Sequence, residues 1–185
     1  MWRSMMAWFM VLGLFLPCGL SQNNQGAPSQ EQTTFSMERI GVRQPIDIPY
    51  SVLQLLRKDK YVLDCLEEGQ DPNTITSDWF VGSKIHLNGA REIDLFVQSR
   101  EQSQVPAKNR CLLGANVERF WIFRPARGRH ELVLEISAHD LRVLDTRHNG
   151  YRDIETTSQT AVSTTKLLFR FDGARYHIAV GEGPG

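Results

Sequence analysis

The sequence predicts a protein of α+β class: a short N-terminal helical pair followed by a mostly antiparallel β-sheet or sandwich with a two-fold pseudo-repeat. Three observations lead there. Residues 49–69 space their apolar side chains at three and four positions, the helical period. After Gly69 the apolar period shortens to two, in brief runs closed by Asn-Gly, Arg-Gly or Asp-Gly. A series of features then recurs in the same order, with Asp94 and Asp153 standing 59 positions apart.

The chain of 185 residues has room for one domain plus a targeting segment. Residues 1–21, MWRSMMAWFMVLGLFLPCGLS, set Arg3 before an apolar run from Met5 to Leu16. That run is shorter than the roughly 20 residues that span a bilayer. Pro17 ends it, and Gly19 and Ser21 supply the small residues of a cleavage site. The pattern is a secretory signal peptide, with cleavage expected after Ser21. Cys18 opens a lipoprotein alternative, against which Pro17 stands where a small residue belongs. An uncleaved anchor is the other alternative, and it lacks a basic stop-transfer flank. Residues 22–45 are rich in Gln, Asn, Ser and Thr and are expected to be a disordered polar linker. A single globular domain is expected over 46–181, with 182–185 as a tail.

In the helical stretch Pro49 suits a first-turn position, where its missing N–H is no loss. Val52, Leu53, Leu55 and Leu56 make one apolar face, and Tyr61, Val62, Cys65 and Leu66 another. The polar run 57–60 divides them, and Gly69 is a natural stop. The segments WFVGSKIHL, IDLFVQS, FWIFRP, ELVLEI, LRVLD, IETTS, KLLFRF and RYHIAV read as strands, being short and rich in aromatic and β-branched residues. FRFDGARYHI forms a hairpin with Asp172-Gly173 at its tip. FWIFRPARGRHELVL forms another, with a longer tip at 125–129. Residues 98–110 read as a surface loop.

Without residues 1–21 two cysteines remain, Cys65 and Cys111. An even pair in an exported chain predicts one disulfide. Acidic and basic residues balance at 21 each, which argues against a nucleic-acid partner, since no large positive field is present. No second apolar run is long enough to cross a membrane, so no span is expected in the mature form.

The repeat aligns IHLNGAREIDLFV, a loop and FWIFRPARGRHELVL with LDTRHNGYRDIET, a shorter loop and LLFRFDGARYHIAV. Each copy has a strand, an Asn-Gly turn, an aspartate followed by an aliphatic residue, a short strand and an aromatic-rich hairpin. This order resembles the FG-GAP or VCBS-type repeat of exported β-propeller proteins, whose loop runs Asp-x-Asn-Gly-Asp-Gly-x-x-Asp-Leu and binds calcium. In HLNGAREIDL, 86–95, Asn88, Gly89, Asp94 and Leu95 match, while His86 and Ala90 replace acids. In DTRHNGYRDI, 145–154, Asp145, Gly150 and Asp153 match and Asn149 can stand in, while Arg147 departs. Arg91, Arg147 and Arg152 neutralise these acids in place of a metal, so no metal or other cofactor is expected. A propeller needs about 4–8 blades; two repeats suit a sandwich instead.

No catalytic constellation appears. The five histidines do not pair at metal-binding spacing, no Gly-x-Ser-x-Gly occurs, and His139-Asp140 are adjacent where strand neighbours face opposite sides. The stretch HNGYRDIE, 148–155, therefore reads as a structural corner. Asn88, Gly89, Asp94, Asn149, Gly150 and Asp153 are its turn and cap residues in both copies. Asp153 is expected to accept backbone N–H groups, and Arg152 to point to solvent or to pair with Asp145. Arg91, Arg127, His148, Tyr151 and Arg152 are the candidate binding residues, because Arg, His and Tyr at turn tips suit recognition. The expectation is a non-catalytic binding or inhibitor-like envelope protein with a protein or cell-wall-related partner. The alternatives are an exported hydrolase with a dispersed His/Asp site, for instance His139, Asp145 and His148, and a structural envelope component.

Overall fold

The computed structural model describes residues 31–37, 41–89, 93–100, 111–114 and 116–182. The expected signal peptide, most of the loop at 98–110 and the candidate binding residue Arg91 lie outside the described residues.

Among the described residues nine strands form two antiparallel sheets. The first strand, β1 (Thr34–Ser36), is followed by helices α1 (Tyr50–Leu56) and α2 (Lys60–Leu63) and two single turns of 3-10 helix. Strands β2 (Phe80–Ile85), β3 (Asp94–Ser99), β4 (Glu118–Ala126) and β5 (Arg129–Ala138) make one four-stranded meander. Strands β6 (Asp140–His148), β7 (Tyr151–Gln159), β8 (Thr164–Phe171) and β9 (Tyr176–Glu182) make a second. The second sheet gains a fifth strand where β1 pairs with β6, giving the order β1-β6-β7-β8-β9.

That fifth strand corrects the boundary expected at Ile46. Thr34–Ser36 lie inside the stretch whose composition suggested a disordered linker, yet Phe35 is 1% exposed and stacks on Phe96 at 3.7 Å between ring centroids. One aromatic residue among polar neighbours anchors the segment, because its burial outweighs the poor average.

The four-stranded sheet is covered on both faces. Phe96, Phe120 and Ile122 point to the five-stranded sheet and meet Leu141, Val143, Ile154, Phe169 and Phe171. Leu95, Val97, Trp121 and Phe123 point the other way and meet Val52, Leu53, Leu56 and Val62 of the helices. This explains FWIF, 120–123, an unbroken apolar run where a half-exposed strand would alternate. Each of its four side chains is at most 1% exposed. Asp59 joins the layers. Its Oδ1 accepts the Val62 backbone N–H and caps α2, and its Oδ2 accepts the Trp121 indole N–H at 2.9 Å. A helix of four residues has little stability of its own, so α2 depends on this shared carboxylate and on its apolar contacts.

The disulfide is present: Cys65, just past α2, is bonded to Cys111, with Cα atoms 5.6 Å apart. The hairpins are present as well. Asn149 and Gly150 have φ of 49° and 82°, the two left-handed residues of a type I′ turn between paired His148 and Tyr151. The β4–β5 tip is shorter than the five residues expected. Arg127 and Gly128, with φ of 45° and 78°, close it between Ala126 and Arg129. The β2–β3 connection is longer than its Asn-Gly suggests and covers residues 86–93, since Ile85 pairs with Asp94.

Arginine in the left-handed region is strained by about 1–2 kcal/mol. Asparagine tolerates that region better, so Arg127→Asn is expected to stabilise the protein by about 0.5–1 kcal/mol in urea denaturation. A destabilised Arg127→Asn chain would show that Arg127 makes a folding contact in solution.

Candidate functional site

Strand direction brings the hairpin turns to one end. The two sheets join at a sharp corner between Ala138 and Asp140, so the turns at 127–128, 149–150 and 172–175 all lie at the opposite end. Direct contacts hold them there. Arg124 Nη1 donates to the Gly173 carbonyl at 3.4 Å, and its guanidinium stands 5.5 Å from the Phe171 ring centre. Asn149 Nδ2 donates to the Phe171 carbonyl at 2.8 Å. Arg147 Nη1 donates to the Leu87 carbonyl at 2.8 Å, which brings in the turn at 88–89. At Gly89 φ is +70°, and an added Cβ would come within 3.1 Å of the Arg147 guanidinium. Ser51, in the first turn of α1, contacts His130 Nδ1 through Oγ at 2.7 Å and sets the exposed Tyr50 beside the β4–β5 tip.

Beneath this surface lies a buried polar support. Asp94 Oδ2 accepts the Leu87 backbone N–H at 3.1 Å. The Tyr176 hydroxyl donates to the Arg152 carbonyl at 2.7 Å, and burial pushes that phenol far above the usual tyrosine range, so it stays a donor. At the surface itself, two backbone N–H groups, from Arg175 and Ala174, hold the exposed Asp172 carboxyl below the usual carboxylate range and close the β8–β9 turn.

The expected binding residues divide. Arg127 is exposed at its tip. His148 is half-exposed, and Tyr151 is partly buried with its ring 4.0 Å from that of Phe171. Arg152 is not a surface group. It is 8% exposed, and its guanidinium bonds Asp145 Oδ1 at 2.9 Å, the Leu144 carbonyl at 2.6 Å and Glu31 Oε2 at 3.4 Å. As the second residue of β7 it shares the inward face with Ile154, which the Asn-Gly turn register dictates. Asp153 also differs from the expectation. Its carboxylate accepts side chains, Thr146 Oγ1 and His148 Nδ1, each at 2.7 Å.

Other residues enter that the sequence pattern did not single out. Arg129 and Arg175 are exposed at the β4–β5 and β8–β9 turns, and the guanidinium groups of these two and of Arg127 make no ion pair among the described residues. The single signal for them was proximity to Gly128 and Gly173. His139 and Asp140 do meet, at 3.0 Å, because His139 occupies the corner between β5 and β6 where strand alternation does not hold. Asp145 bonds Arg152 and His148 bonds Asp153, so these residues are tied to separate partners. Among the described residues no three His, Cys, Asp or Glu side chains are grouped as a metal site, and no helix is long and apolar enough to cross a membrane.

Burial holds the His130 imidazole below the usual histidine range, so it stays neutral beside the Ser51 hydroxyl. The consequence for stability has a definite sign. Above the unfolded pKa of about 6.5 both states are neutral; as pH falls toward the lower folded value, the unfolded chain takes the proton first and stability drops. Thermal midpoints between pH 7.5 and 5.5 are expected to fall more steeply in the parent chain than in His130→Gln. Equal slopes would remove His130 from this role.

Fold and turn end together define the class: a small, disulfide-linked protein of two antiparallel sheets with cationic turns collected at one end. No family model, curated protein or solved structure matches the chain.

Proposed function

We propose that this is an exported, non-catalytic binding protein of the cell envelope, periplasmic or secreted, that holds a protein or cell-wall-related partner at its turn-bearing end. The observation that carries the reading is the gathering of exposed Arg127, Arg129, Arg175 and Tyr50 around the tips of two hairpins and the start of α1. Arginine and tyrosine are the residues that most often carry binding energy at interfaces. Three unpaired guanidinium groups favour a partner surface bearing carboxylates. The disulfide supports export, because such bonds persist in oxidising compartments. Two successive four-stranded meanders support the reading of the domain as a two-fold pseudo-repeat behind a short helical pair. On that reading the corner at 145–154 is the relative of an FG-GAP-type loop whose metal ligands have been replaced by arginine contacts.

The test is capture of partners from envelope extract on the immobilised full chain, beside an Arg127→Glu, Arg129→Glu, Arg175→Glu triple variant of equal thermal midpoint. The reading expects a partner retained by the parent and lost, or at least tenfold weaker, with the variant. Equal retention by both places binding elsewhere.

One observation favours a second reading, an exported hydrolase: the Ser51 hydroxyl beside the neutral imidazole of His130 is the start of an activated nucleophile. A serine-directed phosphonate probe that modifies Ser51 would support it, and an unmodified chain would remove it.

A further inference from the structure

The outer face of the five-stranded sheet, away from the helices and the core, carries a groove of about 490 Å³. It is lined by Leu144, Thr146 and His148 of β6, Asp153 and Glu155 of β7, and Lys166, Leu168 and Arg170 of β8, with Leu167 at its margin. A groove of this size suits a small ligand, for which sites run from about 300 to 1,000 Å³.

Two features distinguish it from an ordinary solvated strand surface. The first is Asp153, whose side chain is 2% exposed although it sits on the outward face of its strand. A buried carboxylate is costly unless its charge is used. Here both oxygens accept, from Thr146 and from His148 Nδ1. Because the carboxylate can only accept, Nδ1 carries the proton, and Nε2 is turned to the open side. An orienting carboxylate behind a histidine is the arrangement proteins use to present an imidazole to a ligand. The second is the charge of β7 and β8. Glu155 pairs across the strands with Leu168, so Lys166 and Arg170 are its two diagonal neighbours on the same face. Among the described residues none of these three charged groups forms an ion pair. Six of the nine lining residues are polar or charged, which disfavours an acyl chain, and Leu144 and Leu168 offer apolar patches between them, Leu167 being packed on the core side.

We infer that this groove binds an acidic sugar, a one- or two-residue saccharide carrying a carboxylate. Lys166 and Arg170 hold the carboxylate, His148 Nε2 and Glu155 hydrogen-bond sugar hydroxyls, and Leu144 and Leu168 take the C–H face of the ring. This does not rest on the turn-end reading, and it would stand if that reading failed.

The test is backbone-amide NMR titration of the full chain with digalacturonate at 100 mM salt, beside the uncharged disaccharide cellobiose and acetate alone. Digalacturonate is expected to shift amides within 144–148, 153–155 and 166–170 at millimolar concentration, at least tenfold more tightly than either control. Lys166→Glu with Arg170→Glu should weaken it tenfold or more, His148→Ala should weaken it several-fold, and the triple variant at Arg127, Arg129 and Arg175 should leave it unchanged. Absence of shifts with digalacturonate would overturn the inference. So would equal binding of acetate, which reduces the groove to a site for any anion, or of cellobiose, which removes the role of the cations.

Discussion

A chain carrying Phe35→Ala is expected to lose about 3–5 kcal/mol of unfolding free energy, the usual range for removing a fully buried aromatic ring. Phe35 is 1% exposed and stacks on Phe96, and its strand forms an edge of the five-stranded sheet, through pairing with residues 140–142. Two effects add. The ring leaves a void between the sheets, and β1, with only three residues, has little else to keep it paired. Urea denaturation followed by far-UV circular dichroism measures the loss. A loss under about 1 kcal/mol would show that the domain holds together without β1, and the boundary near Ile46 would then be restored. Phe35→Leu keeps most of the apolar volume and is expected to cost less than half as much.

Replacing both Cys65 and Cys111 by serine is expected to lower stability by about 3–4 kcal/mol, because the bond closes a loop of 46 positions in the unfolded chain. The loop contains β2 and β3, and its two ends lie against the same apolar cluster, through Leu66 on one side and Leu112 on the other. The bridge thus holds the short helices over Trp121. Reductant should lower the thermal midpoint of the parent chain and leave the double-serine chain unchanged. A parent chain indifferent to reductant and as stable as the serine variant would falsify the contribution assigned to the bond.

Much of the fold is legible along the chain because strand alternation and turn chemistry are local. Asn149-Gly150 places a two-residue turn, and the alternation after it assigns Ile154 to the core. The cysteine pair is legible from parity together with the expected signal peptide. What stays hidden is set by contacts at long range. Phe35 is one apolar residue in a polar segment, and only the sheet edge it pairs with gives it a place. The length of the β2–β3 connection depends on the Ile85–Asp94 register, which overrides the pull of Asn88-Gly89 toward a tight hairpin.

The site is less legible than the fold. Arg127 could be found because it adjoins Gly128, and His148 because it directly precedes the Asn149-Gly150 turn. Arg152 looked equally exposed, and its inward face follows from a register that one added turn residue would have reversed. Arg129, Arg175 and Tyr50 come from three distant parts of the chain, joined by the Ser51–His130 contact and the Arg124 bond to Gly173. The groove is hidden for the same reason. Lys166 and Arg170 on β8 meet Glu155 and Asp153 on β7 only once the Ile154–Phe169 register is known.

The two tryptophans that follow residue 30, Trp79 and Trp121, both belong to the apolar cluster between the helices and the four-stranded sheet. The cluster between the two sheets has none and carries tyrosine instead. In a chain without residues 1–30, which carry Trp2 and Trp8, intrinsic fluorescence excited at the red edge therefore watches only the helix side of the molecule. If the β6–β9 meander, with its groove, opens before the rest, the emission will stay folded-like while circular dichroism falls, and a coincident pair of curves will mean that both halves of the core melt as one.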